Sequence, residues 1–390
     1  MIELDEALGI LRKCPSPYRV ETVDVPRASG RVLARPVLSP ADSPPFDKAL
    51  MDGFAVGADD DSAAFRVVAT IAAGRPSGLT VRRGECARIM TGAPLPPGTG
   101  RVIRKEFVEA RGGLVTVRRQ ETVPNVARRG EARAAGDVLL SPRLLRSPDI
   151  GILAGAGVAA VEAAVPPLTG VLVTGSELAA PGTATGPGQI HDGNGPQLAV
   201  QLAAAGCAPL MLGTVADEHD ATAARITAGL DGCDILLVTG GVSVGDFDLV
   251  PRCLTEAGAE TLFHGIAMKP GRPTLFARRG SHYVFGIPGN PVSAFVVFEI
   301  LVRPFLFHWM GLDGGEALFS AVLDAPLRRG DTERVEFLPV GVREGKAVPI
   351  GLRGSWHATG LDGADGLVRM EKGVAELPKG TTVDVRPIRA

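Results

Sequence analysis

In the middle of the chain, short apolar runs alternate with segments whose apolar residues recur at helical spacing. The apolar runs at residues 171–173, 209–212 and 234–238 predict buried β-strands. The segments at residues 197–205 and 221–230 predict helices between and after them. Strands that alternate with helices favour βαβ units and a parallel sheet, in which ligands bind beyond the carboxyl ends of the strands.

The flanking parts of the chain have other patterns. Residues 1–42 begin with an amphipathic helix that carries apolar residues at Leu4, Ala7, Leu8 and Leu11. A strand-like segment follows at residues 31–37, and a Pro/Asp/Ser cluster at 39–45 indicates a hinge or a crossing between domains.

Two further regions are rich in predicted β-structure. Residues 46–142 alternate short β-branched runs with Gly and Pro turns, which predicts an all-β region with strands at 65–70, 101–104 and 114–117. Residues 143–168 form an apolar, Ala/Gly-rich segment. The region from residue 316 predicts strands at 334–340, 347–350 and 382–385. The fold class is therefore multidomain α/β plus β.

Composition excludes several classes of protein. The chain has 390 residues with 50 Gly and 31 Pro, but 45% of its residues are hydrophobic, so a disordered or fibrous chain is excluded. A net charge of −2 gives no global basic field for nucleic acid. Five scattered cysteines without a C-x-x-C pair predict neither disulfides nor a zinc site.

The sequence also predicts where in the cell the protein is located. The acidic N-terminus lacks a signal-peptide core, and the longest apolar stretch, 295–310, is interrupted by Glu299 and Arg303. We expect a cytoplasmic protein.

One stretch of the chain is locally basic. This pattern indicates either a solvated face with interspersed acids or a wall that faces an anion. Its members are Arg101, Arg104, Lys105, Arg111, Arg118, Arg119, Arg128, Arg129 and Arg133.

Acidic residues follow the predicted parallel strands. Glu177, Asp192, Asp217 and Asp248 come after three of them, so their side chains are expected at one edge of the sheet. A single acid in such a place is usually a helix cap. Four together indicate a site for a hard cation that bridges phosphates.

The glycine-rich turn at residues 239–248 is the strongest local motif. Gly240 and Gly241 allow the backbone to approach a ligand, and Ser243 with free N–H groups suits a phosphate. Asp246 and Asp248 either cap the next helix or hold Mg²⁺. The alternative is an ordinary glycine turn. Asn194, near the first turn, either reads a base or ribose edge or caps a helix.

Two further loops carry groups that suit an anion. Lys269 and Arg272 lie three residues apart on a loop stiffened by Pro and Gly, which suits a tetrahedral oxyanion; the alternative is a basic surface turn. The segment at 286–294 opens an apolar helix and is either a helix start or an anion seat. The six histidines include no pair at i, i+4 and none beside a cysteine, so no transition-metal site is expected.

Seven motifs in order resemble the MoeA/gephyrin E-domain family, the molybdopterin molybdenumtransferases. They are PPFDKALMDGFAV (44–56), RIMTGAPLPPG (88–98), NVARRGEARAAGD (125–137), VTGSEL (173–178), GGVSVGDFD (240–248), KPGRP (269–273) and GIPGNPVSA (286–294). The likeness extends over nearly the whole chain.

The resemblance implies four domains and a homodimer. The domains are an α/β linker and dimerisation domain (1–42 plus 143–168), a β-rich lobe (43–142), a MogA-like molybdopterin-binding α/β domain (169–315) and a C-terminal β-barrel (316–390). The active site would lie between the MogA-like domain of one subunit and the β-lobe of the other. The implied partners include an adenylyltransferase and recipient molybdoenzymes.

The resemblance also implies a reaction and its residues. Molybdate is inserted into adenylylated molybdopterin with the help of Mg²⁺, and AMP leaves. The catalytic set carried over is Asp52, Thr91, Glu177, Asp217 and Asp248, of which Glu177 and Asp248 would hold the metal. The substrate-binding set is Gly240, Gly241, Ser243, Lys269, Arg272, Pro288, Asn290, Pro291, Arg334, Ser355 and Thr359.

The chain departs from the family pattern at several positions. Ser176 and Ala132 stand where the family usually has acids, Ala49-Leu50 replaces Ser-Ala, and Gly360 replaces a Ser. Two other functions therefore stay open: a non-catalytic molybdopterin-binding paralogue or scaffold, and a nucleotide or sugar-phosphate hydrolase. Tungstate is an alternative to molybdate.

Overall fold

The computed structural model describes residues 1–243, 245, 248–312 and 318–388. The predicted role of Asp246 and the predicted boundary between residues 315 and 316 lie outside these residues. The described chain forms three six-stranded sheets and several two-stranded pairs.

The central α/β region contains a six-stranded sheet. In spatial order its strands are Pro209–Val215, Thr169–Thr174, Ile235–Thr239, His282–Ile287, Leu275–Arg279 and Glu260–His264. The first four are parallel and the last two pair antiparallel, which confirms the predicted parallel sheet. Its helices are Asn194–Ala204, His219–Gly232, Val250–Glu256 and Pro291–Trp309. A short parallel pair joins Leu178–Ala179 to Ile190–His191.

The helix Pro291–Trp309 contains one wide turn, the π-helical segment Phe298–Val302, between Pro291–Val297 and Arg303–Trp309. In the described part of the chain it is the one helix with the length and composition for a membrane span, and 83% of its apolar window is buried. Its two charges pair internally, because Arg303 Nε lies 2.7 Å from Glu299 Oε2 and Gln201 Nε2 donates to Glu299 Oε1 at 2.6 Å. It is a core helix of this fold.

The β-rich lobe contains the second six-stranded sheet, as its alternating pattern predicts. In spatial order its strands are Arg101–Arg104, Gly53–Val56, Glu85–Ile89, Ala64–Ile71, Leu114–Val117 and Val108–Arg111. A 3₁₀ turn, Lys105–Phe107, follows the first of these, and Lys48–Ala49 pairs with Val126–Ala127.

The linker region combines the N-terminus with residues that follow the lobe. It contains the helices Leu4–Lys13 and Ser147–Gly155, the 3₁₀ turn Val25–Arg27, and the strand pairs Val20–Asp24 with Ala160–Ala164 and Val37–Leu38 with Val138–Leu140. The predicted strand at 31–37 is not continuous. Val32 and Leu33 make single bridges to different partners, Leu144 and Ala163, so no single neighbour extends the pairing.

The C-terminal region is a closed five-stranded barrel, which confirms the expected architecture. Its strands in order are Val335–Arg343, Lys346–Pro349, Phe319–Leu323, Thr382–Pro387 and Gly366–Met370, and the last pairs back with the first. The pair Leu327–Arg328 with Glu376–Leu377 and the 3₁₀ turn Ala358–Leu361 complete the region.

One strand of the α/β region belongs to the barrel's sheet. Met268–Lys269 runs parallel to the start of Val335–Arg343, with Lys269 opposite Glu336. The N-terminal helix also contacts the barrel, because Asp5 pairs with Arg369 at 3.3 Å. The barrel therefore fixes where the basic loop at 269–273 begins.

Candidate functional site

Three acids follow three adjacent strands of the parallel sheet. Asp217 follows the strand Pro209–Val215, Glu177 follows its neighbour Thr169–Thr174, and Asp248 follows the next, Ile235–Thr239. The strands that precede these acids are adjacent in the sheet, as predicted. Glu177 is exposed, and its carboxylate lies over Gly175. A Cβ atom added to Gly175 would lie 2.7 Å from Glu177 Oε2.

Ser176 holds Asp217 through two reciprocal hydrogen bonds. The Ser176 N–H donates to Asp217 Oδ2 at 3.1 Å, and the Asp217 N–H donates to Ser176 Oγ at 2.9 Å. The serine therefore ties together the loops after two neighbouring strands. Although Ser176 stands where the family pattern has an acid, its hydrogen bonds hold Asp217 at the sheet edge.

The glycine loop is shaped by close contact with the neighbouring strand. Gly240 has φ of 96°, and an added Cβ would lie 2.3 Å from Thr174 O. Its N–H donates to Ile287 O at 3.0 Å, so the loop lies against the start of the 286–294 segment. Asp248 closes the far end, since the Gly245 N–H donates to its Oδ2 at 2.7 Å.

Asn194 has a structural role that neither sequence interpretation included. Its side-chain amide donates to Thr239 Oγ1 at 3.0 Å and to Gly289 O at 2.7 Å, and the residue is buried. Both hydrogen bonds of its side-chain nitrogen are therefore made within the protein, and its side chain does not cap the helix. It fastens the end of one strand to the loop at Gly289. Asp192 instead caps the turn before the helix, because the Gly195 N–H donates to Asp192 Oδ1 at 2.9 Å.

The start of the helix Pro291–Trp309 is partly occupied by the barrel. The Val292 N–H donates to Ser355 O at 3.0 Å, so this N–H is not free for an anion. The same contact brings the loop with Ser355 and Thr359 against the segment that carries Pro288 and Asn290. Pro288 is buried, whereas Asn290 and Thr359 are exposed.

Lys269 and Arg334 lie at the junction of the α/β region and the barrel. Lys269 Nζ lies 3.0 Å from Glu336 Oε1, and Arg334 Nη2 lies 2.5 Å from Asp331 Oδ2. The hydrogen bond from Arg334, followed by a backbone bond and the charge of Lys269, holds the pKa of Asp331 below its ordinary value. Lys269 and Arg334 are therefore neighbours in one charged cluster.

The rest of the basic loop is set by a tight turn. Gly271 has φ of 113°, and an added Cβ would lie 2.7 Å from both Met268 Cε and Val297 Cγ2. Arg272 follows and is exposed. Lys269 therefore faces the barrel cluster while Arg272 extends toward solvent, so the surface-turn interpretation applies to Arg272 better than to Lys269.

The β-lobe builds a separate charged group around Asp52. The Thr91 N–H and Oγ1 both donate to Asp52 Oδ1 at 2.9 Å, and Lys105 Nζ lies 3.3 Å from Oδ2. The hydrogen bonds from Thr91, then that from Lys105, hold the pKa of Asp52 below its ordinary value. A cavity of about 510 Å³ opens beside this group, with Arg88 and Arg111 among its lining residues.

Most of the basic stretch is neutralised by acids. Arg104 pairs with Glu121 at 2.6 Å, Arg128 with Asp47 at 2.6 Å, and further pairs join Arg101 to Asp61, Arg111 and Arg118 to Glu109, and Arg129 to Asp42. This is a solvated face with interspersed acids. The cavity beside Asp52 is the part of the stretch that faces a concave surface.

The structure thus gathers the predicted residues into two groups. One comprises the α/β edge, the glycine loop, the 286–294 segment and the barrel loop with Ser355, which are joined by the contacts above, while the charged cluster of Lys269 and Arg334 lies where the α/β region meets the barrel. The other is the Asp52–Thr91 group in the lobe. Within the described ranges, no hydrogen bond or ion pair joins residues 43–142 to residues 169–388.

Two residues of the barrel cluster were not predicted from the sequence. Glu336 is buried and faces Lys269, and Arg329 Nη1 lies 3.9 Å from Glu336 Oε2. Arg329 also donates to Val374 O and Arg334 O, both at 2.6 Å. Glu336 lies inside the predicted strand at 334–340, and a charged residue among the apolar residues of a strand was the available signal.

Family sequence models match almost the whole chain. The MoeA N-terminal region (domain I and II) matches residues 2–157, a probable molybdopterin binding domain matches 170–308, and the MoeA C-terminal region (domain IV) matches 321–388. These ranges correspond to the linker with the β-lobe, the α/β region and the barrel.

Individual relatives agree with these matches. A molybdopterin molybdenumtransferase of Bacillus subtilis is 33% identical over 406 residues, covering 100% of this chain and 94% of the relative. Molybdopterin molybdenumtransferase 2 of Mycobacterium tuberculosis is 35% identical, covering 96% of both chains. The crystal structure of a molybdopterin biosynthesis MoeA protein from Pyrococcus horikoshii covers 99% of both chains at 31% identity, with a TM-score of 0.74. The present chain belongs to the MoeA family.

Proposed function

We propose that this chain is a molybdopterin molybdenumtransferase of molybdenum cofactor biosynthesis. It inserts molybdate into adenylylated molybdopterin and releases AMP. Full-length family membership supports the assignment. The structural observation that supports it is that the glycine loop beside the acidic sheet edge bonds to Ile287, at the start of the 286–294 segment, and that Val292 of this segment bonds to Ser355 of the barrel.

The acids at the sheet edge have the donor chemistry that Mg²⁺ prefers. Carboxylate oxygens are hard ligands, and Glu177 is exposed at the end of a strand flanked by the strands that precede Asp217 and Asp248. In the hydrogen bonds described above, Oδ2 of Asp217 accepts from the Ser176 N–H and Oδ2 of Asp248 accepts from the Gly245 N–H. Glu177 and Asp248 would hold the ion, and Asp217 would be the third acid. Bound Mg²⁺ would neutralise charge on the substrate phosphates.

The chain's own groups would bind and orient the two substrates. Gly240 would let the backbone approach the phosphates, and Gly241 and Ser243, with the segment that carries Pro288, Asn290 and Pro291, would receive the phosphates and the pterin through backbone N–H groups and polar side chains. The cations Lys269, Arg272 and Arg334, with Ser355 and Thr359, would gather molybdate by charge and hydrogen bonds. Molybdate oxygen or an activated water would then attack the adenylyl phosphorus and break its bond to the bridging oxygen, so that the phosphate stays on the pterin and the adenylyl group leaves as AMP, directly or after hydrolysis of its bond to molybdate.

A homodimer would complete the site. As the resemblance implies, Asp52 and Thr91, which form one group in the lobe, would act on the site of the other subunit. Their hydrogen bonds keep the Asp52 carboxylate ionised and fixed.

The cellular setting follows from the reaction. The substrate is an adenylylated pterin, so an adenylyltransferase would supply it, and molybdoenzymes would receive the product. We place these steps in the cytoplasm. Tungstate has nearly the shape and charge of molybdate and would compete for the same cations.

Complementation tests this function. Wild-type protein is expected to restore a molybdoenzyme activity in a strain that lacks its molybdenumtransferase, without high external molybdate. Glu177→Gln is expected to fail, while Glu260→Gln, which changes an exposed acid of the distant edge strand of the same sheet, is expected to succeed. Failure of the wild type despite normal expression would reject the proposal.

The serine at position 176 favours one alternative function, a paralogue that binds adenylylated molybdopterin without turnover, which is tested alongside the proposed function. A serine in place of an acid reduces the negative charge at the sheet edge, as in a paralogue that binds adenylylated molybdopterin without turnover. Such a protein would bind the substrate as tightly as an active enzyme but release no AMP when molybdate is added. The Ser176–Asp217 contacts favour the active enzyme, because they hold Asp217 at the edge.

A further inference from the structure

A second cluster of metal-ligating side chains lies where the helices His219–Gly232 and Val250–Glu256 meet. It consists of His219, Cys253 and Glu256, whose ligand atoms all lie within 4.8 Å of one another. His219 Nε2 lies 2.7 Å from Glu256 Oε2, and Cys253 Sγ lies 3.9 Å from His219 O. Cys253 is buried, whereas Glu256 is exposed.

The donor set differs in kind from that of the acidic sheet edge. An imidazole nitrogen, a sulfur and one carboxylate oxygen are ligands of zinc, while Mg²⁺ prefers oxygen alone. From this juxtaposition we propose that His219, Cys253 and Glu256 form a Zn²⁺ site with its fourth position open to water.

The ring of His219 is already oriented for such a role. Its Nδ1 lies 2.9 Å from Asp220 Oδ1, which leaves Nε2 directed at Glu256, with the ligand atoms of all three residues within 4.8 Å of one another. A carboxylate on the second ring nitrogen is the arrangement that fixes the tautomer of metal-bound histidines. The three ligands and this second contact come from only two helices.

Binding exchanges protons for the ion without any redox step. The hydrogen bonds from Asp220 and then Glu256 raise the pKa of His219, and burial raises the pKa of the Cys253 thiol. Zn²⁺ requires the neutral imidazole nitrogen and the thiolate. Formation of the Zn–N and Zn–S bonds therefore releases the Cys253 proton and, below the pKa of His219, its proton as well.

The site would join two helices that follow parts of the proposed active site. Asp217 lies two residues before His219, and Asp248 lies two residues before Val250. A bound ion would hold the two helices together and stabilise the folded protein by mass action. Sequence spacing did not reveal the cluster, because His219 and Cys253 are 34 residues apart.

The test titrates the chelator-treated full-length protein with Zn²⁺ and, separately, with Co²⁺. Calorimetry in two buffers of different ionisation enthalpy measures affinity, stoichiometry and proton release, and Co²⁺ reports thiolate ligation through its charge-transfer absorption. The variants are Cys253→Ser and Glu256→Gln. Cys233→Ser is the matched control, since Cys233 is another buried cysteine of the same region. All titrations contain excess Mg²⁺.

We expect one zinc ion per wild-type chain, with proton release. Affinity should fall at least about tenfold in Cys253→Ser and Glu256→Gln but stay unchanged in Cys233→Ser. The cobalt–thiolate absorption should disappear in Cys253→Ser and remain in Cys233→Ser. Glu256 is exposed, so its variant tests the site even if Cys253→Ser folds poorly. Absence of zinc binding, or equal affinity in Cys253→Ser and Cys233→Ser, would overturn the proposal.

Discussion

Individual charges of the candidate site are held by specific partners. Lys269 has Glu336 at 3.0 Å, Asp52 has Thr91 at 2.9 Å, and Asp217 has Ser176. Residue types nominated Asp217 and Lys269 as candidates, because acids after parallel strands suit a cation and cations on a Pro/Gly loop suit an oxyanion, and the resemblance nominated Asp52. The partners were not predictable, since Glu336 and Lys269 are far apart in the sequence and no local pattern joins them.

The hydrogen bonds to Asp52 predict a pH effect of Thr91→Val. The substitution removes one donor, so the pKa of Asp52 should rise toward its ordinary value. A carboxyl with a lowered pKa loses its ionised form only as the pH falls through that lowered pKa, so in the variant this loss begins at a higher pH. The acid limb of the pH–rate profile for AMP release should therefore shift upward.

Thr99→Val serves as the control for that profile. Thr99 is another threonine of the lobe, and its hydroxyl donates to Pro96 O at 2.7 Å. Its profile should match that of the wild type. An unshifted acid limb in Thr91→Val would show that Asp52 ionisation does not limit the reaction.

Elements were predicted well where local sequence determines them. The strands of the parallel sheet follow from continuous apolar runs, and the glycine loop follows from its composition. The segment at 31–37 shows the limit, because its β-like residues do not share one neighbouring strand. The pairing of the strand Met268–Lys269 with the barrel was also not predicted, because two residues are too few to show the alternation of apolar and polar residues that marks a strand.

Glycine 240 gives a test at the level of the loop. Gly240→Ala and Gly280→Ala both place alanine at positive φ, which costs about 1–2 kcal/mol in each case. Only Gly240 also has a backbone atom, Thr174 O, 2.3 Å from the added Cβ. We expect Gly240→Ala to lose about 1–3 kcal/mol more stability than Gly280→Ala, and to lose AMP release.

Thermal unfolding and AMP release of the two variants measure this difference. Gly280 is a suitable control because nothing lies within 4 Å of its added Cβ. Equal melting temperatures and equal rates would mean that the loop relaxes without cost and is not held against Thr174.

Over the whole molecule, three six-stranded sheets, one of which contains the closed barrel, bring distant motifs together. Periodicity predicted the multidomain α/β plus β class, which is confirmed, and the resemblance added the C-terminal barrel. The contacts between regions, such as Val292 with Ser355 and Asp5 with Arg369, depend on tertiary packing, which a single sequence does not encode in any local pattern.

A mixed dimer tests whether two subunits share each active site. Asp52→Ala and Glu177→Ala are co-expressed with different tags, each variant alone being inactive. A shared site leaves one intact site in each heterodimer, so an equal random mixture should recover about a quarter of the wild-type activity. No recovery in purified heterodimers would place Asp52 and Glu177 of the same chain in one site.

The central claim is that the acidic sheet edge supports molybdate-dependent turnover of adenylylated molybdopterin. The most direct measurement is AMP release by the purified protein before and after addition of molybdate, with Mg²⁺ titrated. The account predicts release on molybdate addition by the wild type and by Glu260→Gln, and at least about a tenfold weaker apparent Mg²⁺ affinity in Glu177→Gln and Asp248→Asn. Full turnover with normal Mg²⁺ dependence in those two variants would contradict it.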